Sequence, residues 1–469
     1  MTTTDIWIIM PLLILAVGAL LTLLLGALVP DRFGTTVGIV TVLCAAFWAV
    51  LTPPAPVAPT LGVAFTPFAR FFTVLFSLTA AVTFLLSRGY NERQGIRGEE
   101  YPATVLFAVF GMTALSMSVN LLTFFLGLEA LTFAFYILVA IDRNRPESAE
   151  AGLKYLLLGA IAAAFIAFGI AFIYAEGGTL DIAAAMKSAL SGGRGNPLAL
   201  AGWGFLLIGI AFKISLVPAH LWTPDVYQGA PTPVVAFLST GSKGAAFAAL
   251  LLLLGAMDGT GLLRTPLWWL SLLSMAVGNL AALLQTNLKR MLAYSSIAQM
   301  GYVTLALLTG SGRGYEAVAF YVVAYTAMNL AAFGAVASLT GKGGMEEVED
   351  YRGIGYQRPL AGGVLALAMF ALAGVPPTAG FMGKFYIFFA AIRGGETPLA
   401  VIGILTAAVS VYYYLRVVVN LYMHPAGARA DAHAASPYEV VALGVTAVAI
   451  LVLGVYPEPL LKVIEEILS

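Results

Sequence analysis

Charged side chains are scarce in this sequence. Asp, Glu, Lys and Arg make up 10% of the 469 residues, and 24 basic residues balance 24 acidic ones. Soluble globular domains contain about 25% charged residues, so the composition excludes a soluble fold. A formal net charge of zero gives no reason to expect nucleic acid as a partner.

Residues that bind metals and cofactors are also few. Cys44 is the only cysteine, so no disulfide, iron–sulfur cluster or multi-cysteine metal site can form within the chain. Three scattered histidines predict neither a haem nor a metal site. The sequence contains neither a GxxxxGKS/T phosphate loop nor a convincing dinucleotide-binding motif. We therefore expect no cofactor or metal in this chain.

Long apolar runs dominate what is present. Hydrophobic residues make up 60% of the chain, and the runs are continuous, which indicates an all-α integral membrane protein and not a barrel. A spanning helix needs about 20 mostly apolar residues. Fourteen segments qualify: 6–29, 35–52, 66–87, 102–118, 120–140, 151–175, 198–217, 233–257, 266–285, 290–309, 315–340, 359–392, 398–423 and 437–457.

The first segment could be mistaken for a secretory signal. It is longer than a signal's apolar region of about 7–15 residues, and no basic residue precedes it. We expect it to be a retained transmembrane helix.

Basic residues are distributed unevenly between the connecting loops. With the N-terminus outside, the inner loops hold twelve: Arg32, Arg88, Arg93, Arg97, Arg143, Arg145, Lys289, Arg290, Lys342, Arg352, Arg358 and Arg429. The outer loops and C-terminus hold six: Lys187, Arg194, Arg264, Arg313, Arg393 and Lys462. Inner loops are enriched in Lys and Arg, so this bias predicts both termini on the outer side.

Two of the segments contain helix-breaking residues. Pro218 and Pro224 interrupt the helix around Lys213–Tyr227, where the seventh segment ends, and Pro376 and Pro377 interrupt the twelfth. Such breaks survive in a membrane only where they are buried in protein or line a hydrated cavity. Their offset of five segments predicts two inverted five-helix repeats, segments 4–8 and 9–13, with the functional site near the breaks.

The repeats divide one polytopic membrane domain into four parts. Residues 1–100 form an N-terminal three-helix segment, 101–257 the first repeat, 258–423 the second, and 424–469 a C-terminal helix.

Several ionisable side chains lie within the apolar segments, where they are rare in helices that face lipid. Placing a charge at the bilayer centre costs about 2.5–3.5 kcal/mol on insertion scales, so such residues are functional candidates. The candidates are Glu129, Lys154, Lys213, His220, Lys243 and Lys384.

Structural roles compete with the functional ones. Lys154, near a segment end, can extend its ammonium group to the inner surface, and His220 can be a structural histidine. Glu129 and Lys213 can form a purely structural pair. For Asp225 we favour capping of the half-helix after the first break over proton transfer.

The spacing of these groups indicates a proton relay. A buried lysine loses proton affinity, and a nearby carboxylate restores it. One carboxylate and four lysines on several helices provide such sites, and nearby polar residues can hold the intervening water: Ser215, Ser239, Thr240, Ser242, Tyr294, Ser295, Ser296 and Gln299.

Three motifs resemble a known family. "KISLVPAHLWTPDVYQGAPTPVVAFLSTGSK", "NLKRMLAYSSIAQMGY" and "GVPPTAGFMGKFYIF" are similar to the subunit N family of bacterial NADH:quinone oxidoreductase, the proton-pumping respiratory complex I. The wider family includes the other antiporter-like subunits of complex I and the Mrp-type cation/proton antiporters. The segment from Tyr227 to Pro231, together with Lys384, favours subunit N over subunit M and its Mrp relative, which usually carry glutamate in place of the lysine.

The resemblance implies a role for each candidate. Glu129 and Lys213 form the charge pair of a first half-channel, which Lys154 modulates; His220 belongs to the hydrated connection. Lys243 is the central relay and Lys384 the terminal lysine of a second half-channel.

The resemblance also implies a setting in the bacterial cytoplasmic membrane beside subunits M, K and J. FMN, iron–sulfur clusters and quinone are then held by partner subunits. Two alternatives stay open: a subunit of an Mrp-type antiporter, and a membrane subunit of a hydrogenase-type complex.

Overall fold

The computed structural model describes residues 3–28, 33–58, 61–190, 196–256, 263–310, 312–341, 344–425 and 435–468. Several residues used above lie outside this part: Arg32, Arg194, Lys342 and Arg429. Within it the chain is almost entirely helical.

The N-terminal region contains three long helices. They are α1 (Thr3–Leu28), α2 (Gly34–Leu51) and α3 (Pro67–Gln94). Two short antiparallel strands, β1 (Ala55–Ala58) and β2 (Val63–Phe65), occupy the α2–α3 connection. The sequence analysis predicted only helices, so this small hairpin is an addition.

The next eight α-helices cover the predicted first repeat. They are α4 (Glu100–Ser116), α5 (Leu121–Val139), α6 (Pro146–Gly177), α7 (Ile182–Leu190), α8 (Pro197–Ile214), α9 (Trp222–Gly229), α10 (Thr232–Phe237) and α11 (Lys243–Gly255). A π-helical turn, Leu238–Ser242, joins α10 to α11.

The remaining α-helices cover the predicted second repeat and the C-terminal region. They are α12 (Arg264–Leu283), α13 (Leu288–Leu307), α14 (Gly312–Leu339), α15 (Ile354–Gln357), α16 (Pro359–Ala373), α17 (Ala379–Arg393), α18 (Thr397–Met423), α19 (Pro437–Val455) and α20 (Glu458–Leu468). A 3₁₀ turn, Val348–Tyr351, precedes α15.

Eleven helices of the described residues are long and apolar enough to cross a membrane. Two of these spans form the centre of the protein: Thr232–Gly255 and Gly312–Leu339 are each 94% buried over their apolar window. By contrast, α1, α6 and α19 are each 28% buried and have apolar faces suited to lipid. The membrane protein predicted from composition is therefore confirmed.

Both predicted breaks are present. The first half-helix ends at Ile214, and the chain resumes as α9 at Trp222; the second ends at Ala373 and resumes as α17 at Ala379. In each case the residue that ends the half-helix is left-handed, Ser215 at φ 74° and Gly374 at φ 90°. This C-terminal cap satisfies carbonyls that the ended helix leaves free.

Candidate functional site

Lys243 lies at the centre of the molecule. The π-turn directly precedes it, and the side chain is 1% exposed. Its Nζ donates to Ser296 Oγ of α13 at 2.5 Å, and Tyr325 OH of α14 donates to the same oxygen at 2.6 Å. The Tyr227 ring lies 5.5 Å from Nζ. Only neutral groups thus surround this lysine among the described residues.

Lys213 lies in the last turn of α8, at the first break, and is 2% exposed. Its Nζ donates to Thr132 Oγ1 at 2.6 Å. Thr132 lies on α5, one turn after Glu129. Its hydroxyl group therefore holds the Lys213 ammonium group beside the Glu129 carboxylate. Among the described residues no ion pair within 4.0 Å joins Lys213 to Glu129, and Glu129 Oε1 is buried without a hydrogen-bond partner. The two residues are brought together but are not in direct contact.

His220 lies in the turn between α8 and α9, partly buried. Its Nδ1 is buried and makes no hydrogen bond to the described residues. The main chain around it is fixed, because Thr223 N donates to His220 O at 2.9 Å and Trp222 Nε1 donates to Phe212 O at 2.9 Å. His220 therefore has a ring nitrogen with no hydrogen bond to the described residues, on a turn that these two bonds hold in place.

Two tyrosines pack beside the first break. The rings of Tyr136 and Tyr155 are 5.0 Å apart, and Tyr155 stacks on Trp222 at 4.6 Å. Both hydroxyl groups are buried without a partner among the described residues. Unpaired buried hydroxyl groups are unfavourable unless water reaches them.

Lys384 follows the second break and is 6% exposed. Its Nζ donates to Leu372 O at 2.8 Å and to Ala373 O at 3.2 Å. These are carbonyl groups at the C-terminus of α16, where the last carbonyls lack helical partners and carry the negative end of the helix dipole. The break itself thus stabilises the ammonium group.

Polar side chains connect the Lys243 region to Lys384. Gln299 Nε2 donates to Leu372 O, the carbonyl that Lys384 also uses, and to Tyr414 OH, both at 3.1 Å. Tyr414 OH is in turn bonded to Ser295, the chain neighbour of Ser296. Two residues from the predicted water-holding set, Ser295 and Gln299, therefore share one network on α13. A third, Ser296, instead accepts from Lys243 and Tyr325.

Lys154 lies outside this buried network, with its side chain 43% exposed. Its Nζ is 2.8 Å from both Glu150 and Asp225, and Arg290 NH1 is 2.6 Å from the other Asp225 oxygen. The predicted capping by Asp225 is wrong, because this carboxylate joins α6 and α13, and no side chain caps α9. The structure brings Lys154 to a charged surface cavity and not to the Glu129–Lys213 pair.

Sequence analysis missed two parts of the site. One is the π-turn, whose only signal is the polar run "STGS" inside an apolar helix; such turns often mark functional sites. The other is a set of buried tyrosines that composition could not distinguish from ordinary core: Tyr302 of α13, Tyr321 and Tyr325 of α14, and Tyr413 and Tyr414 of α18. In the described part of the chain no cluster of three His, Cys, Asp or Glu could hold a metal ion.

Comparison with known proteins gives consistent matches. Residues 118–410 match the family described as NADH:quinone oxidoreductase/Mrp antiporter, transmembrane. NADH-quinone oxidoreductase subunit N of Geotalea uraniireducens (strain Rf4) is 71% identical over 100% of both chains. A chain of respiratory complex I from Thermus thermophilus with bound aureothin is 36% identical, with a TM-score of 0.83 over 96% of this chain and 98% of that one. A chain of the Mrp complex from Dietzia sp. DQ12-45-1b is 19% identical with a TM-score of 0.87 over 100% of this chain and 97% of that one, which shows the shared fold alone.

Proposed function

The chain belongs to the NADH-quinone oxidoreductase subunit N family, and from this premise we propose that its buried lysines carry the protons. It is an antiporter-like, proton-translocating membrane subunit of that translocase, and electron transfer takes place in other subunits. The catalytic contribution of this chain is thus to move protons, and no redox centre of its own is required.

The proposed path has two ends and a centre. Glu129 and Lys213 form the proton-exchanging pair at the first break, with His220 in its hydrated connection. Lys243 is the central site, and Lys384 is the terminal site at the second break. Lys154 adjusts the electrostatic potential at the first end from the charged cavity.

The observation that carries this proposal is the setting of Lys243. Burying an ammonium group among neutral partners is costly, and packing alone gives no reason to retain one at the centre of a membrane protein. A lysine whose only hydrogen-bond partner among the described residues is Ser296 Oγ can lose its proton without leaving a buried carboxylate unpaired. The polar network that runs from Ser295, the chain neighbour of Ser296, through Tyr414 and Gln299 to the Lys384 site supports an onward path.

We further propose fourteen membrane crossings. Eleven of them are the long apolar helices. The other three are α4, α13 and the pair α16–α17, which crosses as two halves. An even number places both termini on one side, and the loop charges favour the outer side. The four-part division into residues 1–100, 101–257, 258–423 and 424–469 follows from this count.

Matching contacts support an internal repeat within those crossings. Asn120 begins α5 and bridges Asp181, while Asn287 begins α13 and bridges Glu347. The neighbouring hydrogen bonds match as well: Leu121 N to Leu180 O, and Leu288 N to Glu346 O, both at 2.8 Å. Each contact ties the second helix of a proposed repeat to the loop after its third helix.

Close helix pairs repeat in the same order. A Cβ on Gly111 of α4 would lie 2.4 Å from the α5 backbone, and one on Gly278 of α12 would lie 2.6 Å from the α13 backbone. Small residues allow such approaches in membranes. The first two helices of both proposed repeats therefore pack through glycine.

The partners we propose are other membrane subunits of complex I, namely M, K and J, in the bacterial cytoplasmic membrane. FMN, iron–sulfur clusters and quinone belong to partner subunits in this scheme. No residue of this chain is assigned to them.

Purification from native membranes in mild detergent tests the assignment. We expect flavin and iron–sulfur subunits to co-purify with NADH:quinone activity, since that activity needs redox centres that this chain does not supply. Recovery of hydrogenase subunits would leave the proposed proton relay in place and would show that the redox partner is a hydrogenase. Recovery of antiporter-type membrane chains without any redox subunit would overturn the respiratory assignment.

A further inference from the structure

Lys289 is a buried lysine that the proposed path does not use. It lies in the first turn of α13 and is 4% exposed. Its Nζ donates to Ala230 O at 3.0 Å, and no described carboxylate lies within 4.0 Å of it. The positive end of the helix dipole opposes an ammonium group at this position. A neutral donor could make the same hydrogen bond at lower cost, so the bond alone does not explain a lysine.

A charged cavity lies next to Lys289. It has a volume of about 260 Å³ and is lined by Gly229 and Arg290, the chain neighbours of Ala230 and Lys289. Its charged and polar wall includes Glu150, Lys154, Asp225, Gln228 and Glu346. A polar cavity of this size holds several water molecules. Since the Arg145 and Arg290 loops are predicted to lie inside, the cavity faces the inner aqueous phase.

The opposite side of Lys289 leads towards Lys243. Lys289 and Ser296 are seven residues apart on α13, which places them on one face two turns apart, or about 10 Å. Ser296 binds Lys243. Tyr227 lies one turn before Ala230, its ring is 5.5 Å from Lys243 Nζ, and its hydroxyl group is buried without a partner among the described residues. Lys289 therefore lies between the cavity and the central site.

We propose that Lys289 is the first buried proton carrier on the inner side of the protein. Its neutral amine takes a proton from water in the charged cavity and becomes an ammonium group. It then returns to the amine when that proton passes to the neutral amine of Lys243, by way of Tyr227 OH and water. The inference rests on the proposed function and adds an uptake site to it.

Three variants and one control variant of the intact complex, each in proteoliposomes, test this proposal. Lys289→Met removes the carrier, whereas Lys289→Arg keeps a cation that can donate to Ala230 O but does not release its proton. We expect both to lower proton pumping by about tenfold or more; general acid–base catalysis typically contributes about 10²–10⁴-fold. Tyr227→Phe keeps the ring and should slow pumping by a smaller factor. Arg97→Met, which removes an exposed cation from the same predicted side, should pump like the wild type.

The outcomes separate a proton carrier from a structural donor. If Lys289→Arg pumps normally while Lys289→Met does not, Lys289 is a structural donor and the proposal is overturned. Normal pumping by both variants would overturn it as well. Native gel analysis checks assembly, and Lys289→Arg, which retains the bond to Ala230, keeps the test valid if Lys289→Met fails to assemble. If Lys243→Ala also pumps normally, the proposed function itself has failed. If the Lys289 variants pump normally and Lys243→Ala does not, only the proposed uptake site has failed.

Discussion

The two helix breaks of this protein are similar in backbone and different in charge. At each break a left-handed residue ends the first half-helix, and a buried lysine lies beside the gap. At the first break Lys213 is held by Thr132, next to the carboxylate of Glu129. At the second break Lys384 is held by the main-chain carbonyls of Leu372 and Ala373. One lysine thus has an ionisable neighbour, and the other has fixed dipoles.

This difference assigns different work to the two ends. A carboxylate can gain or lose a proton, so Glu129 can change the charge state that Lys213 favours. Carbonyl dipoles do not titrate, and they stabilise the Lys384 ammonium group by a constant amount. The electrostatic environment of Lys213 at the first end is therefore adjustable, and that of Lys384 at the second end is fixed. Lys243 lies between the two ends.

The largest effect is expected at that shared centre. Lys243→Ala removes the ammonium group that donates to the Ser296 hydroxyl, while Tyr325 continues to donate to it, so no charge is left unpaired. We expect NADH:quinone turnover to fall by more than about tenfold, a barrier increase of at least ~1.4 kcal/mol, with assembly intact. Turnover measured in membranes from a strain carrying the variant checks this, and wild-type turnover would mean that the two ends do not communicate through Lys243.

The next largest effect is expected at the fixed end. Lys384→Glu places acceptor oxygens against the carbonyls of Leu372 and Ala373, which repel a carboxylate. We expect turnover to fall several-fold, by ~1 kcal/mol or more in barrier. Lys384→Arg is the matched control for charge: it should assemble normally yet remain slow, because a guanidinium group keeps its proton. Wild-type pumping by Lys384→Glu would remove this lysine from the path.

At the adjustable end the two residues should act as one unit. Lys213→Ala leaves Glu129 without its counter-charge, and Glu129→Gln leaves Lys213 without the group that adjusts it. We expect each single variant to lower turnover by a similar factor, and the double variant to be no worse than either, because coupled residues are non-additive. Fully additive losses would show that the pair is not functionally linked.

The smallest effect is expected from exchanging the two left-handed residues. Gly374→Ser copies the first break into the second, but a Cβ there meets Lys384 Cδ at 3.2 Å, and a left-handed side chain costs about 1–2 kcal/mol. We expect a modest loss of thermal stability and a slightly slower turnover. Ser215→Gly, the reverse exchange, relieves the backbone and removes one side-chain bond, that from Thr223, so it should differ less from the wild type. Equal melting temperatures for both variants would contradict this ranking.

The sequence predicted both breaks and the buried lysines because each depends on a local signal. Proline inside an apolar segment and lysine far from a segment end are visible without knowing which helices are neighbours. The local prediction was wrong for Asp225. Its carboxylate forms ion pairs with Lys154 and Arg290 on distant helices instead of capping its own helix.

The polar network could not be predicted for the same reason. Gln299, Leu372 and Tyr414 lie on three different helices and are more than forty residues apart in the chain. Lys289 was counted only as a loop charge in the sequence analysis, and its burial against Ala230 appears only once α13 is placed against the first break.

Proton movement into proteoliposomes, recorded per assembled complex, tests the central claim most directly. Wild-type and Lys243→Ala complexes would be reconstituted, and NADH oxidation by an artificial electron acceptor would count the working redox domains in each. We predict that acidification of the vesicle interior falls by about tenfold or more in the variant, at an unchanged rate with the artificial acceptor. Acidification at the wild-type rate would show that protons do not pass through the buried lysine at the centre of this chain.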